Sequence, residues 1–449
     1  MFPGAKMYIV TSPSLVTACD RRAKTVSFAP YVVASAKRIL AAGEKSVCLL
    51  SEDLLEDKGP VTLRPETMKV MQQFLRPGES LDHMMKTMLK SSVGFLDTHL
   101  ARGAEVTVPL FSWVRRFVGI TSTNVAYGSE QNPMKDPSVS DDFWKVDKEF
   151  AFLGLNIVPD IIAPAANRGR KRFFAAFKEY YATGSIKNAA PFIHERYGVN
   201  TKHGVSDEDI AHFDLGVCTA LLVNTVPAVW WVLYHVFSDP SLLHKVRRGI
   251  EDVAFDHLKS PTAQERGLST TTISIQHVIK DFPLLESLIK EVLRVHSNSM
   301  SARYILQDTI VTDEDGTVYL LKKDSLLAMP SGPVHANRVA WGQDAETFDP
   351  SRFLGSSQRN STNRSPASSY RAFGGGNALC PGRHFAMNEM MSILVIMTLR
   401  YNITHLRGKW RMPKTRNHVS MSVQTPAEDL QVRITARDRA KFLAWEFIW

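Results

Sequence analysis

Four cysteines in 449 residues, at Cys19, Cys48, Cys218 and Cys380, stand far apart and form no Cys-x-x-Cys pair. That scarcity excludes a disulfide framework and a zinc cluster, and makes a reducing compartment the default. No signal peptide or spanning run is expected at the N-terminus, where Lys6 to Val10 reads as a strand instead. No long run of one charge sign occurs: 54 Lys and Arg against 45 Asp and Glu leave a net +9, spread along the chain. This balance weakly favours acidic partners or an anionic membrane surface. Nucleic-acid-binding motifs are absent, so no nucleic acid partner is expected. There is no internal repeat and no long Pro/Gly/Ser linker. The length allows two or three domains, but the unbroken pattern favours one domain over residues 1–449.

What is present is a mostly helical pattern with 44% hydrophobic residues, enough for a sizeable core. Apolar residues recur at helical period over Met68–Leu75, Leu81–His99, Phe173–Tyr181 and Leu242–Phe255, and a short helix follows Ser12-Pro13. The longest apolar stretch, Leu215 to Phe237, is long enough for a membrane span. It contains Asn224 and Pro227 and is entered through Asp207-Glu208-Asp209, so a core helix is the better reading. Residues 207–239 read as one helix, capped by Ser206, bent at Pro227 and stopped by Pro240. Strands are short: Tyr304–Thr312 and Thr317–Leu321 flank Glu314-Asp315-Gly316 as a hairpin. The fold class is therefore mainly α with a small β region. The polar stretch Ser356–Ser369 reads as a surface loop; its Asn360-Ser361-Thr362 pattern matters only in a secreted chain.

The most informative segment is Phe373-Gly374-Gly375-Gly376-Asn377-Ala378-Leu379-Cys380-Pro381-Gly382-Arg383. It sets Cys380 in a glycine-rich turn just before a helical run. The glycines let the backbone turn tightly, approach a flat macrocycle and aim N–H groups at the sulfur. A thiolate so placed can be the axial ligand of a haem iron. The bland alternative is a buried structural cysteine. The spacing Phe373-x-x-Gly376-x-x-x-Cys380-x-Gly382 resembles the haem-binding signature of the cytochrome P450 family.

Three further constellations fit that resemblance. Glu291 and Arg294 share a helix face and alone read as a solvated pair worth a few tenths of a kcal/mol. They precede Phe348-Asp349-Pro350-Ser351-Arg352-Phe353, an order similar to the family's Glu–Arg–Arg triad. The resemblance makes Glu291, Arg294 and Arg352 structural partners of the cysteine loop. Asn224 and Thr225, just before Pro227, resemble the oxygen-activating helix, with Asn224 replacing the usual acid and Leu221 and Leu222 the usual small residues. The Asn-Thr-x-Pro-Ala pattern is similar to the branch with sterol 7- and 12-hydroxylases and prostacyclin synthase. Arg303 stands where family members pair a basic residue with a haem propionate, a role that suits the guanidinium fork. Two departures matter: Ala378 replaces a common basic residue two before the cysteine, and Trp113-x-x-Arg116 has the wrong spacing for the usual propionate element.

The resemblance implies the P450 fold and a haem-thiolate monooxygenase. Cys380 holds the iron of haem b, Phe373, Gly376 and Gly382 shape its loop, and Thr225 with Asn224 assists oxygen activation. NADPH is the external electron source, through an NADPH-cytochrome reductase. The substrate is expected to be apolar, of terpenoid, sterol or polyketide type, in secondary metabolism. Its pocket is expected to be lined by the segments around Leu49–Thr62, Phe152–Ile162 and His418–Gln424. The implied location is the endoplasmic reticulum membrane surface, although no anchor or signal is read here and the N-terminus is expected to be shortened. Two alternatives stay open: a haem-thiolate isomerase or dehydratase of an oxygenated substrate, and an inactive haem- or lipid-binding protein.

Overall fold

A computed structural model describes residues 6–52, 54, 61–100, 105–256, 270–354, 369–418, 420–437 and 444–449. The polar stretch 356–368, with Asn360, lies outside them. The chain opens with β1 (Met7–Ile9) and α1 (Pro13–Asp20), then β2 (Val26–Ser27). Ser12 caps α1, and Pro13 takes its first position, where a missing N–H costs nothing. After helices at Ala29–Arg38, Glu44–Ser51 and Leu63–Leu75 come α2 (Glu79–His99), β3 (Glu105–Pro109) and α3 (Leu110–Tyr127). Short α4 (Phe150–Leu155) and α5 (Pro159–Ile162) lead into α6 (Pro164–Ala182) and α7 (Pro191–Lys202).

The expected single helix over 207–239 is two. α8 spans Asp207–Leu222 and α9 spans Thr225–Ser238, with Val223 and Asn224 forming a turn between them. Ser206 does cap α8, its hydroxyl accepting the Asp209 N–H at 3.1 Å. Pro227 explains the break. In a continuous helix its ring would clash with the carbonyl four residues back, at Val223. In the first turn of a new helix the missing N–H has no partner to lose. Pro227 therefore ends one helix and starts another, and the bend expected at the proline falls three residues earlier. Pro240 likewise opens α10 (Pro240–Asp256), whose first N–H groups at Ser241 and Leu242 are taken by the Asp239 carboxylate at 2.9 and 3.1 Å.

After α11 (Leu284–His296) the chain forms β4 (Met300–Ile305), β5 (Thr309–Thr312), β6 (Val318–Leu321) and β7 (Leu326–Pro330). The single strand expected over 304–312 is thus divided. β4 lies in a four-stranded sheet of order β1-β7-β4-β2, while β5 and β6 form a separate antiparallel hairpin. Asp308 stabilises the division by accepting Lys323 N–H and Lys322 Nζ, each at 2.8 Å. α12 (Arg383–Arg400) then leads to β8 (Tyr401–His405) and β9 (Gln431–Ala436), which pairs with both β8 and β3.

The core is built around α9, where every residue from Thr225 to Phe237 is buried. It packs against α3, α11 and α12. Each large apolar side chain so buried contributes about 1.5–3 kcal/mol. Asp207–Ser238 has the length and hydropathy to cross a membrane, but 67% of its apolar window is buried in the protein. Trp230 Nε1 is buried there without a hydrogen-bond partner among the described residues, whereas its neighbour Trp231 is matched. Trp231 Nε1 donates to the Gln424 carbonyl at 2.7 Å, and its ring stacks 3.6 Å from that of His296. His296 and His235 then meet through their Nε2 atoms at 2.8 Å.

That pair has room for one proton between its facing nitrogens, so the two rings cannot both be charged. Burial pushes His235 down to about 4 and His296 well below its usual range. Both folded values lie below the unfolded value of about 6.5. Their contribution to stability is therefore present above pH 6.5 and lost as pH falls toward 4, by up to about 1.4 kcal/mol per pH unit for each ring. The urea midpoint should drop between pH 7 and pH 5, and less steeply in His235→Gln. An equal slope in that variant would remove the pair from the account.

Candidate active site

The cysteine loop is a tight backbone structure. Phe373 O accepts the Cys380 N–H at 2.9 Å, closing the loop across its glycines. Gly374 and Gly376 adopt left-handed φ of +77° and +60°, which other residues reach only with strain. Gly382 caps α12, and the N–H groups of Gly382 and Arg383 point at the Cys380 sulfur. Burial pushes that thiol up, while the two N–H groups and the Arg383 charge act against it by favouring a thiolate. Cys19, by contrast, is buried and pushed up to about 12, and Cys218 is also raised by burial.

Glu291, Arg294 and Arg352 come together. Arg294 Nε and Nη2 each donate to Glu291 at 2.8 Å, in the two-pronged geometry that suits a carboxylate. Arg352 Nε adds a third bond at 3.0 Å and the Asp349 N–H a fourth at 3.0 Å. The remaining donors of Arg294 and Arg352 take the carbonyls of His335, Trp341 and Thr347. Glu291 is fully buried, so the reading of this pair as a solvated surface contact does not hold.

Asn224 and Thr225 occupy the break between α8 and α9. The Asn224 side-chain oxygen accepts Ser422 N–H at 2.6 Å and Val423 N–H at 3.2 Å, so it ties the helix break to the 420–424 turn. Thr225 is buried, at the first position of α9, and its hydroxyl makes no hydrogen bond among the described residues. Of the three expected pocket segments, 420–424 meets this break. Ser420 Oγ donates to buried Asp147 at 2.8 Å, whose carboxyl is raised by burial. The segment 152–162 does not line an interior: Phe152, Leu155, Ile157, Val158, Ile161 and Ile162 are exposed, and only Leu153 is fully buried. Apolar composition marks such a segment without telling which side it faces. Residues 55–60 of the remaining segment lie outside the described residues.

Arg303 is buried on β4. Its Nη1 donates to Ala302 O at 2.8 Å and Ser301 Oγ at 3.2 Å, and Nη2 approaches Gly375 O at 3.5 Å. Trp113 packs in the core between Phe95 and Phe117, and Arg116 is exposed. Sequence reasoning missed Arg371, which is buried two residues before Phe373 and ion-paired with Asp20. It also missed a cleft of about 230 Å³ between α2 and α3, lined by His83, Met84, Asn124, Gly128 and Asn188, none of them a candidate residue.

The residues present fit a haem. Among the described residues no group of three or more His, Cys, Asp or Glu side chains can hold a bare metal ion, whereas Cys380 offers one sulfur faced by two N–H donors. The same loop has buried guanidinium groups beside it, fit for carboxylates.

Comparison with known proteins agrees with the geometry. A family model described as Cytochrome P450 matches residues 33–432. The chain is 27% identical to cytochrome P450 monooxygenase nodJ of Hypoxylon pulicicidum, over 99% of this chain and 84% of the relative. It is 26% identical to the 25-hydroxycholesterol 7-alpha-hydroxylase of Rattus norvegicus, over 81% of this chain and 88% of that one. A retinoic acid bound cyanobacterial CYP120A1 shares the fold, with a TM-score of 0.67 at 17% identity over 97% of this chain and 90% of the other. The architecture is thus that of a haem-dependent oxidoreductase. The chain belongs to the cytochrome P450 family and is a monooxygenase.

The Glu291 network makes a stability prediction. Removing one member of a buried charge network strands the others, at about 3–5 kcal/mol. Glu291→Ala should give little soluble, haem-loaded protein and a lowered melting temperature. A haem-replete variant with unchanged melting would show that the network carries no load.

Proposed function

We propose that the protein inserts one atom of O₂ into a C–H bond of an apolar small molecule of terpenoid, sterol or polyketide type. The observation that carries this reading is the Cys380 sulfur, faced by the N–H groups of Gly382 and Arg383 in a loop bent by Gly374 and Gly376. Cys380 would hold the haem iron through its sulfur, Phe373, Gly376 and Gly382 would shape its loop, and Arg303 would bind a propionate. The two N–H groups would share the negative charge of the sulfur once it ligates iron, offsetting part of the cost of burying a thiolate. Haem supplies the oxidising chemistry when bound, its thiolate favouring O–O cleavage. The other oxygen atom leaves as water, which consumes two protons and two electrons. The electrons come from NADPH through a flavoprotein reductase. Thr225, whose hydroxyl has no hydrogen-bond partner among the described residues, relays the protons, and Asn224 holds the 420–424 turn beside it. Apolar Leu222, Val226, Met421 and Val423 around that break support an apolar substrate.

An exposed apolar face supports a membrane location. Phe152, Leu155, Ile157, Val158, Ile161 and Ile162 stand out from α4, α5 and their connection, close in sequence to exposed Lys148 and Arg168, while Lys171 pairs with Asp160 at 3.7 Å. Apolar side chains rimmed by cations suit an anionic bilayer. We place this face on the endoplasmic reticulum membrane surface. The protein should co-sediment with vesicles containing phosphatidylserine, and Ile157→Asp with Ile161→Asp should weaken that about tenfold or more. Equal sedimentation of the double variant would sink the assignment.

Two variants test the chemistry together. Cys380→Ala should abolish the red-shifted Soret band of the reduced, carbon-monoxide-bound protein. Thr225→Ala should keep that band but divert NADPH to peroxide, lowering product formation by roughly 10²–10⁴-fold. A retained band in the first variant ends the haem-thiolate reading. Unchanged product per NADPH in the second removes Thr225 from the site.

A further inference from the structure

Two guanidinium groups meet beside the turn that leads to Cys380. Arg303 and Arg371 are 3% and 7% exposed. Arg371 is ion-paired through Nη1 with Asp20, the last residue of α1, while its Nη2 is buried without a hydrogen-bond partner among the described residues. Gly375 leaves room for this arrangement, since a Cβ there would lie 2.1 Å from Arg371 Nη1. The other ionisable groups acting on Arg303 are Asp20, Arg371, Tyr31 and Cys19. Tyr31 is raised by burial and Cys19 is pushed up to about 12, so both are neutral near pH 7. Asp20 alone supplies negative charge. Two buried cations thus share one carboxylate, and Arg371 Nη2 has no hydrogen-bond partner among the described residues. An arrangement of this kind is costly unless an anion completes it.

We propose that Arg371 and Arg303 together form the site for the carboxylates of the haem propionates, with Asp20 competing for Arg371. This rests on the haem seat proposed above. It supplies from Arg371 the second cation that Ala378 does not offer. Arginine suits the task because its planar fork meets a carboxylate with two parallel bonds. The charge sum is specific: Arg303, Arg371 and Asp20 leave one net positive charge for two propionates.

The test is haem transfer from the ferric holoprotein to excess apomyoglobin, followed at the Soret band. A charge-assisted hydrogen bond sets the scale, so Arg371→Ala should lose haem about tenfold faster or more, and Arg371→Lys at an intermediate rate. Asp20→Asn should lose haem more slowly than the unmutated protein, because it removes the competing carboxylate. Reconstitution with haem dimethyl ester, which lacks the charges, should erase the difference between Arg371→Ala and the unmutated protein. The proposal is overturned if Arg371→Ala keeps the unmutated rate, if the ester leaves the difference intact, or if Asp20→Asn accelerates loss as Arg371→Ala does. The last outcome would mark a purely structural ion pair. Should Arg371→Ala not fold, Arg371→Lys and Asp20→Asn carry the same opposite-sign prediction. The reduced carbon-monoxide spectrum of the unmutated protein separates the failures: a normal red-shifted band with unchanged transfer rates sinks this site alone, and absence of the band sinks the haem seat itself.

Discussion

The cysteine loop depends on a carboxylate that never touches it. Glu291 is buried on α11 and takes four hydrogen bonds from Arg294, Arg352 and the Asp349 backbone. Those arginines turn their other donors outward onto carbonyls between residues 335 and 347. His335, held there by Arg294, accepts the Arg371 N–H at 2.8 Å through its own Nε2, two residues before Phe373. A single negative charge thereby fixes an irregular stretch that has little regular secondary structure of its own. Three charges, one negative and two positive, remain buried because every donor and acceptor finds a partner, the condition under which buried ions are tolerated.

The same logic governs the break between α8 and α9. A proline near the middle of an apolar helix forbids continuity, and the structure uses the interruption rather than hiding it. Freed from helical pairing, Asn224 spends its side chain on a turn from the far end of the chain. Thr225 gains the first position of a new helix and keeps its hydroxyl uncommitted. A straight helix would have buried both as ordinary lining.

What was legible in the sequence was local. Cys380 and its glycines, and Glu291 with Arg294, reveal themselves because the chemistry demands residue types at short, fixed spacings. Helical periods and the Ser206 cap were readable for the same reason. The rest depends on partners that spacing does not announce. Asn224 reads as an oxygen-side polar group until its bonds to Ser422 and Val423 are seen. Arg371 has no motif; its meaning comes from Asp20 at the other end of the chain. The break at Val223 was hidden because proline inside an apolar run is compatible with either a bend or a fresh start. Residues 152–162 were misassigned to an interior because hydrophobicity alone does not distinguish a pocket wall from an outward face.

The parallel pairing of β1 with β7 has a consequence for how the protein is made. Met7 lies beside Leu326, so β1 leaves the ribosome about 320 residues before its partner exists. At about 5–20 residues per second, that is roughly 15 to 60 seconds. During this interval the alternately apolar Met7-Tyr8-Ile9 has an open backbone edge on either side. Nascent chains with such an edge are natural clients for chaperones that mask it. Expression yield in a foreign host should therefore depend on how the host handles the unpaired Met7–Ile9 strand as much as on the packing of the finished core.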